Sequence, residues 1–276
     1  EKFAVVENFF ASGLGMPSFT LLGSGIIKRH YVQPYALGHE IVHSWIGNDV
    51  FNRAERGNWV EGLTTYLANY YWHELVGDRA QAQDQRRQMV QGYNLHVPPE
   101  RDYPVAQFTQ KLDERDNAIG YQKAAMLFHL LRQEVGEEIF GRVLKKLVAE
   151  YHGRHAGWPD LERIFAGESR QDLRWFFAQW LEQDGAPALS LSEAVARPVA
   201  GAPAETFQLE VTIVQSNKPF RFPLQIRVQM EGDRTQTLMV PLRSQRETIS
   251  VTLPARPITI DLDPEFMAFR RIARQS

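Results

Sequence analysis

His39-Glu40-Ile41-Val42-His43 places two histidines four residues apart with a carboxylate between them. On a helix, residues at that spacing lie one turn above each other, so both imidazoles can point at one ion. Glu40 is offset from them. It does not share their coordination position, yet it can reach a water on the metal. Zinc lowers the pKa of such a water to about 7, where a neighbouring carboxylate can take its proton. The pattern therefore implies hydrolysis with one Zn2+ and Glu40 as general base.

A catalytic zinc takes three protein ligands and keeps a fourth position open. Glu61 offers the third, from the apolar helical stretch Trp59-Val60-Glu61-Gly62-Leu63-Thr64-Thr65-Tyr66-Leu67. No cation stands near it in sequence. A buried, unpaired carboxylate is costly, and a divalent ion removes that cost. The plainer alternative is two histidines on an amphipathic helix and a glutamate in an exposed first turn, favoured there by the helix dipole. Cysteine is absent altogether, which excludes a disulfide framework, a thiolate zinc site and a cysteine nucleophile. A purely structural zinc would then lack ligands.

The elements that must carry these residues are legible in part. Glycines at 13, 15, 23 and 25 break short apolar runs in the first thirty residues, which implies short strands and turns. Apolar residues then recur at helical spacing over 35–46, 59–76, 119–135, 137–151, 159–165 and 171–183. Glycines 47, 77, 136, 153, 167 and 185 fall where C-terminal caps belong. Residues 187–205 hold prolines and small residues without an apolar face and read as a linker. Beyond it, 207–214, 222–230, 237–242, 248–253 and 258–262 alternate apolar with polar residues, as in a small β-sandwich.

Composition sets outer limits. With 276 residues, 43% of them hydrophobic and 23% charged, the chain is an ordinary globular sequence of about two domains. Its 31 basic and 33 acidic residues form no run of like charge, which argues against a nucleic-acid partner. No apolar stretch is long enough for a membrane span. The chain starts at Glu1 without methionine and runs at once into Phe3-Ala4-Val5-Val6, which implies a preceding segment. Neither compartment nor oligomeric state can be read from it.

These residues carry a resemblance. His-Glu-x-x-His followed by a glutamate in an Asn-Glu-Gly-like segment is similar to the gluzincins, and within them to the M1 zinc aminopeptidases related to leukotriene A4 hydrolase. His43-Ser44-Trp45-Ile46-Gly47-Asn48 resembles the family's His-Gln-Trp-Phe-Gly-Asn, and Trp59-Val60-Glu61-Gly62 its Leu-Asn-Glu-Gly. Tyr121-Gln122-Lys123-Ala124-Ala125 resembles Tyr-x-Lys-Gly-Ala, whose tyrosine stabilises the oxyanion. By that likeness Tyr121 takes the same part here. A phenol with a pKa near 10 stays protonated and can donate to a developing oxyanion; the bland reading is a tyrosine packed at a helix start. Trp175 to Leu181 with Gly185-Ala186-Pro187 resembles the exit from the catalytic domain, and Asp261-Leu262-Asp263-Pro264 the sandwich that follows.

The resemblance implies an α+β multidomain fold: a mainly helical, thermolysin-like catalytic domain over 1–186, truncated at its front, the 187–205 linker, and an all-β sandwich over 206–276. It also implies a peptide or protein substrate. Two departures stand out. The stretch between His43 and Glu61 is one residue shorter than members usually have, which a loop near Arg53 to Gly57 absorbs. Where members read Gly-x-Met-Glu-Asn, with the glutamate gripping the substrate's free amine, this chain reads Gly13-Leu14-Gly15-Met16-Pro17-Ser18. Pro17 cannot bind an ammonium group, which leaves exopeptidase against endopeptidase action open. The backbone of Gly15 and Met16 could still hold an extended substrate as an added strand, unless these glycines only make a tight turn. The competing functional reading is a non-catalytic binding or scaffold protein that has kept the fold.

Overall fold

Apolar runs broken by glycines give the first three strands of the computed structural model, β1 (Ala4–Asn8), β2 (Gly13–Met16) and β3 (Phe19–Gly23). β3 lies centrally, parallel to β1 and antiparallel to β2, so β2 is an edge strand with Gly15 opposite Thr20. The structure describes residues 3–28, 32–201 and 205–272. The chain divides into two units, Glu1–Gly185 and Ala186–Ser276.

In the first unit, α1 (Ser24–Lys28) is followed by a π-helical turn over Val32–Ala36 that runs directly into α2 (Leu37–Val42). The strand β4 (Phe51–Asn52) comes next. A second helical run starts as α3 (Val60–Thr65), passes through a π-helical stretch at Tyr66–Tyr71 and ends as α4 (Trp72–Leu75). α5 (Arg79–His96) follows, and then α6 (Glu114–Asn117) continues through a third π-helical stretch, Ala118–Lys123, into α7 (Ala124–Val135). The unit closes with α8 (Glu137–Tyr151), β5 (His155–Ala156), α9 (Trp158–Ser169) and α10 (Arg174–Trp180), β5 pairing in parallel with β4.

The core gathers around α7, which is buried along every residue from Ala124 to Arg132. α3 packs against it backbone to backbone. A Cβ on Gly62 would stand only 2.4 Å from the Cβ of Ala124 and 3.2 Å from its carbonyl carbon, so only glycine permits this approach. Glu61, next to that glycine, is thereby set at the level of the π-helical stretch preceding α7. Of the aromatics at helical spacing, Trp59, Tyr66 and Tyr70 are core, whereas Trp45 and Trp72 are about half exposed.

Two sequence expectations fail in this unit. α5 is absent from the helices read by periodicity, because polar Gln85 and Arg86 interrupt its buried face, alongside Ala82, Met89, Val90 and Tyr93. Those polar groups are satisfied, Gln85 donating to the Tyr35 hydroxyl at 3.0 Å and Arg86 to the Tyr70 hydroxyl at 3.0 Å. Gly167 is no cap. It lies inside α9, and Arg170 ends that helix with φ of +56°.

The second unit holds two three-stranded antiparallel sheets. One has the order β10-β7-β6, from β6 (Leu189–Pro198), β7 (Phe207–Gln215) and β10 (Arg246–Leu253); the other β11-β8-β9, from β8 (Phe222–Met230), β9 (Arg234–Leu242) and β11 (Pro257–Leu262). Alternate residues Leu209, Val211 and Ile213 of β7 and Leu224, Ile226 and Val228 of β8 are buried, as a sandwich core requires. The expected linker over 187–205 is corrected by β6, which pairs with β7 along its length. It is an edge strand with nearly every side chain in solvent, so its sequence shows no alternation and backbone pairing alone makes it a strand. Ala202 to Ala204 of that expected linker lie outside the described residues.

Candidate metal centre

His39 in α2 and His43, the residue that caps its C-terminus, stand one turn apart, their ring centroids 4.7 Å apart and nearly perpendicular. α3 brings Glu61 against both, with Oε2 at 3.2 Å from Nε2 of His39 and 3.5 Å from Nε2 of His43. Donor atoms each about 2.1 Å from a tetrahedral ion stand about 3.4 Å apart, so these separations suit a zinc site. Among the described residues, His39, His43 and Glu61 are the set of histidine and carboxylate ligand atoms that gathers within 4.8 Å.

The surroundings prepare these donors. Nδ1 of His43 lies 2.8 Å from the Ile46 carbonyl oxygen, with the Thr64 hydroxyl at 3.5 Å. A carbonyl only accepts, so Nδ1 carries a proton, and Nε2 is the nitrogen directed at Glu61 and the one that would bind a metal after giving up its own proton. Burial alone would push the Glu61 carboxyl up. Hydrogen bonds and attraction from the two imidazoles outweigh it and hold Glu61 well below the usual carboxylate range. His43 is raised in turn, Glu61 overcoming the effect of burial. The set therefore offers two imidazole nitrogens and one anionic oxygen, which fits a divalent cation.

Glu40 lines the same cleft as the two histidines and is 8% exposed. Burial raises its pKa, while His39 and His43 pull it down. β2 encloses it closely: the N–H of Gly15 donates to its carboxylate, and a Cβ on Gly13 would lie 2.3 Å from its Oε1. Tyr121 comes from the π-helical stretch preceding α7, a geometry frequent at functional sites. Its ring stacks on His39 at 6.1 Å, and its hydroxyl hydrogen-bonds Glu61. Burial, then the charge of Glu61, pushes this phenol well above its ordinary pKa, so it keeps its proton at neutral pH.

A cleft of about 470 Å³ opens over these groups, lined by His39, Glu40, His43, Glu61 and Tyr121 together. Of Gly15 and Met16, expected to lend their backbone to a substrate, Gly15 lines the cleft. Gly15 gives its N–H to Glu40 and its carbonyl to the side chain of Asn48, at 3.0 Å, so both groups are engaged within the protein. Met16 is not among the residues lining the cleft. Nor do the glycines form a tight turn, since Gly13–Met16 is a strand.

Three residues of the site escaped sequence reasoning. Asn48 stood inside a quoted motif without a role. Gly13 is identifiable only once Glu40 is seen to need its missing Cβ. Lys111, which lines the cleft, lies far along the chain in a segment without periodicity or motif.

Residues 29–180, more than half of the chain, match the model of the Peptidase family M1 domain. Mitochondrial aminopeptidase 2 of Saccharomyces cerevisiae is 25% identical over 166 residues, covering 56% of this chain and 17% of the relative. Leucine aminopeptidase 2 of Aspergillus fumigatus is 30% identical over 160 residues, covering 53% and 24%. A crystal structure of Legionella pneumophila aminopeptidase A in complex with aspartic acid superposes with a TM-score of 0.67 at 21% identity, over 99% of this chain and 32% of that one. An M1 zinc metallopeptidase mutant from Deinococcus radiodurans gives 0.53 at 21% identity, over 67% and 41%. The chain thus spans roughly a quarter or less of the length of the curated relatives just named. Its family-model match over helices that bring His39, His43 and Glu61 together makes it a member of peptidase family M1.

Proposed function

We propose that this chain carries the catalytic centre of an M1 aminopeptidase-like zinc peptidase, which hydrolyses peptide bonds in a peptide or protein substrate. The observation that carries the reading is the meeting of His39, His43, Glu61, Glu40 and Tyr121 around one cleft. His39 and His43 through Nε2, and Glu61 through its carboxylate, would hold the metal. A zinc ion there supplies Lewis acidity, polarising a peptide carbonyl and bringing the pKa of water to about 7.

The protein's own groups then divide the proton work. Glu40, held by Gly15, accepts a proton from the attacking water on its carboxylate and returns it to the nitrogen of the departing amine. The Tyr121 hydroxyl donates to the carbonyl oxygen as that oxygen becomes anionic. Glu61 and the Ile46 carbonyl keep the imidazoles oriented while this happens. A scaffold would have no use for a buried Glu40 beside a protonated Tyr121.

Gly13 sets where Glu40 stands. Gly13→Ala should push the carboxylate aside by about 1 Å and lower kcat by up to about 10²-fold with zinc content unchanged. Steady-state kinetics with metal analysis of the same preparation checks this, and an unaltered kcat would show that Glu40 tolerates displacement.

Among the described residues, those lining the cleft include no carboxylate besides Glu40 and Glu61, so none of them demands a free substrate amine. One peptide should therefore be cut both with a free and with an acetylated N-terminus, as mass spectrometry of the products would reveal. Cleavage confined to the free form, one N-terminal residue at a time, would restore strict exopeptidase action.

A further inference from the structure

Once Glu40 and Glu61 are assigned to proton transfer and to the metal, the formal charge that remains among the described residues lining the cleft is a cation, Lys111. It lines both the catalytic cleft and an adjoining polar cavity of about 330 Å³ that shares His39, Glu40 and Tyr121 with it. Among the described residues, no other lysine or arginine lines either space. Its Nζ stands 6.0 Å from the centroid of the Tyr121 ring, whose hydroxyl bonds Glu61.

The segment that carries Lys111 is fixed on both sides. Asn58 donates from its backbone to the Phe108 carbonyl at 2.7 Å and from its side chain to the Thr109 carbonyl at 3.3 Å. On the far side, the Leu112 N–H donates to Asp116 at 3.0 Å. The nearest acid to the ammonium is Glu114, 3.9 Å away and 61% exposed. Such an exposed pair three residues apart is worth little and opens readily to a better-placed anion.

We propose that Lys111 makes the cleft a receptor for a substrate carboxylate, so that peptides bearing an acidic side chain beside the scissile bond are preferred. This rests on the peptidase reading above. Tyr121 links the two: its ring stacks on His39 and stands 6.0 Å from the ammonium, so a substrate whose carbonyl faces Tyr121 would carry a neighbouring side chain towards Lys111. The Lys111 side chain is 43% exposed, so it is open to an incoming anion, and a charge-assisted hydrogen bond to a carboxylate is stronger than one to a neutral amide. An amine in the same place would meet a like charge instead.

The test uses one peptide series that differs only in Asp against Asn on either side of the cleaved bond, each made as free acid and as C-terminal amide. Turnover is measured with the zinc-loaded protein and its Lys111→Met and Lys111→Glu variants. Binding is measured by isothermal titration calorimetry in zinc-loaded Glu40→Gln, with and without Lys111→Met. The Asp form should exceed the Asn form about tenfold in kcat/KM and in affinity, and Lys111→Met should bring both ratios close to one. Lys111→Glu should turn the preference towards a lysine-bearing peptide. An advantage that follows the free C-terminus instead of the side chain assigns the same site to the terminal carboxylate. Equal Asp and Asn forms in both readouts, or a preference that survives Lys111→Met, overturns the proposal. If no peptide is cut but the binding ratio holds, the peptidase reading falls and the Lys111 site stands.

Discussion

Glu40→Gln should lower kcat by about 10²- to 10⁴-fold while KM moves little and the bound zinc stays in place. Glutamine keeps the shape of the side chain and can still accept from the Gly15 N–H, so the packing against β2 is preserved. What it cannot do is take a proton. His39, His43 and Glu61 are untouched by the change, so the metal should report the same stoichiometry. The measurement is steady-state cleavage of a peptide by wild type and variant, with the zinc content of each preparation. A variant within tenfold of wild type would mean that the water is deprotonated by another group, and the role given to Glu40 would have to be withdrawn.

Tyr121→Phe should cost about 10²- to 10³-fold in kcat, the usual effect of losing one donor to a developing oxyanion. Burial and the nearby Glu61 keep this phenol protonated, and its ring rests on His39, so the missing oxygen is the only large change. Phenylalanine retains the stacking. An interaction made only as charge develops lowers kcat and kcat/KM together. A rise in KM with kcat kept would instead make Tyr121 a ground-state substrate contact.

How much of this was readable from residues alone depends on how local each relation is. His39 and His43 declare themselves because four residues on one helix fix their geometry without reference to the rest of the chain. Glu61 is almost as local, a carboxylate in an apolar helix that needs a cation. Gly62 beside it reads as a plain family motif residue, and only the contact with Ala124 explains why it is glycine. Lys111 is the opposite case. Its neighbours in space come from α2, α3 and the π-helical stretch before α7, and nothing in its own segment announces them.

The same division holds for the fold. Strands β7 to β11 alternate visibly because one face is buried, whereas β6 has no buried face and reads as a linker. α5 hides for the related reason that Gln85 and Arg86 occupy core positions through hydrogen bonds, which a hydrophobic pattern cannot register. Gly15 was read as an open backbone site. Its engagement by Glu40 and Asn48 depends on a strand packing against a helix some thirty residues away in sequence.

Everything proposed about catalysis depends on one ion between α2 and α3. Elemental analysis of the protein purified without chelator should find one zinc per chain, falling to near zero in His43→Ala and Glu61→Ala, each of which removes one of three ligands. Near-zero zinc in the unaltered protein, or a full complement of zinc in both variants, would contradict the account.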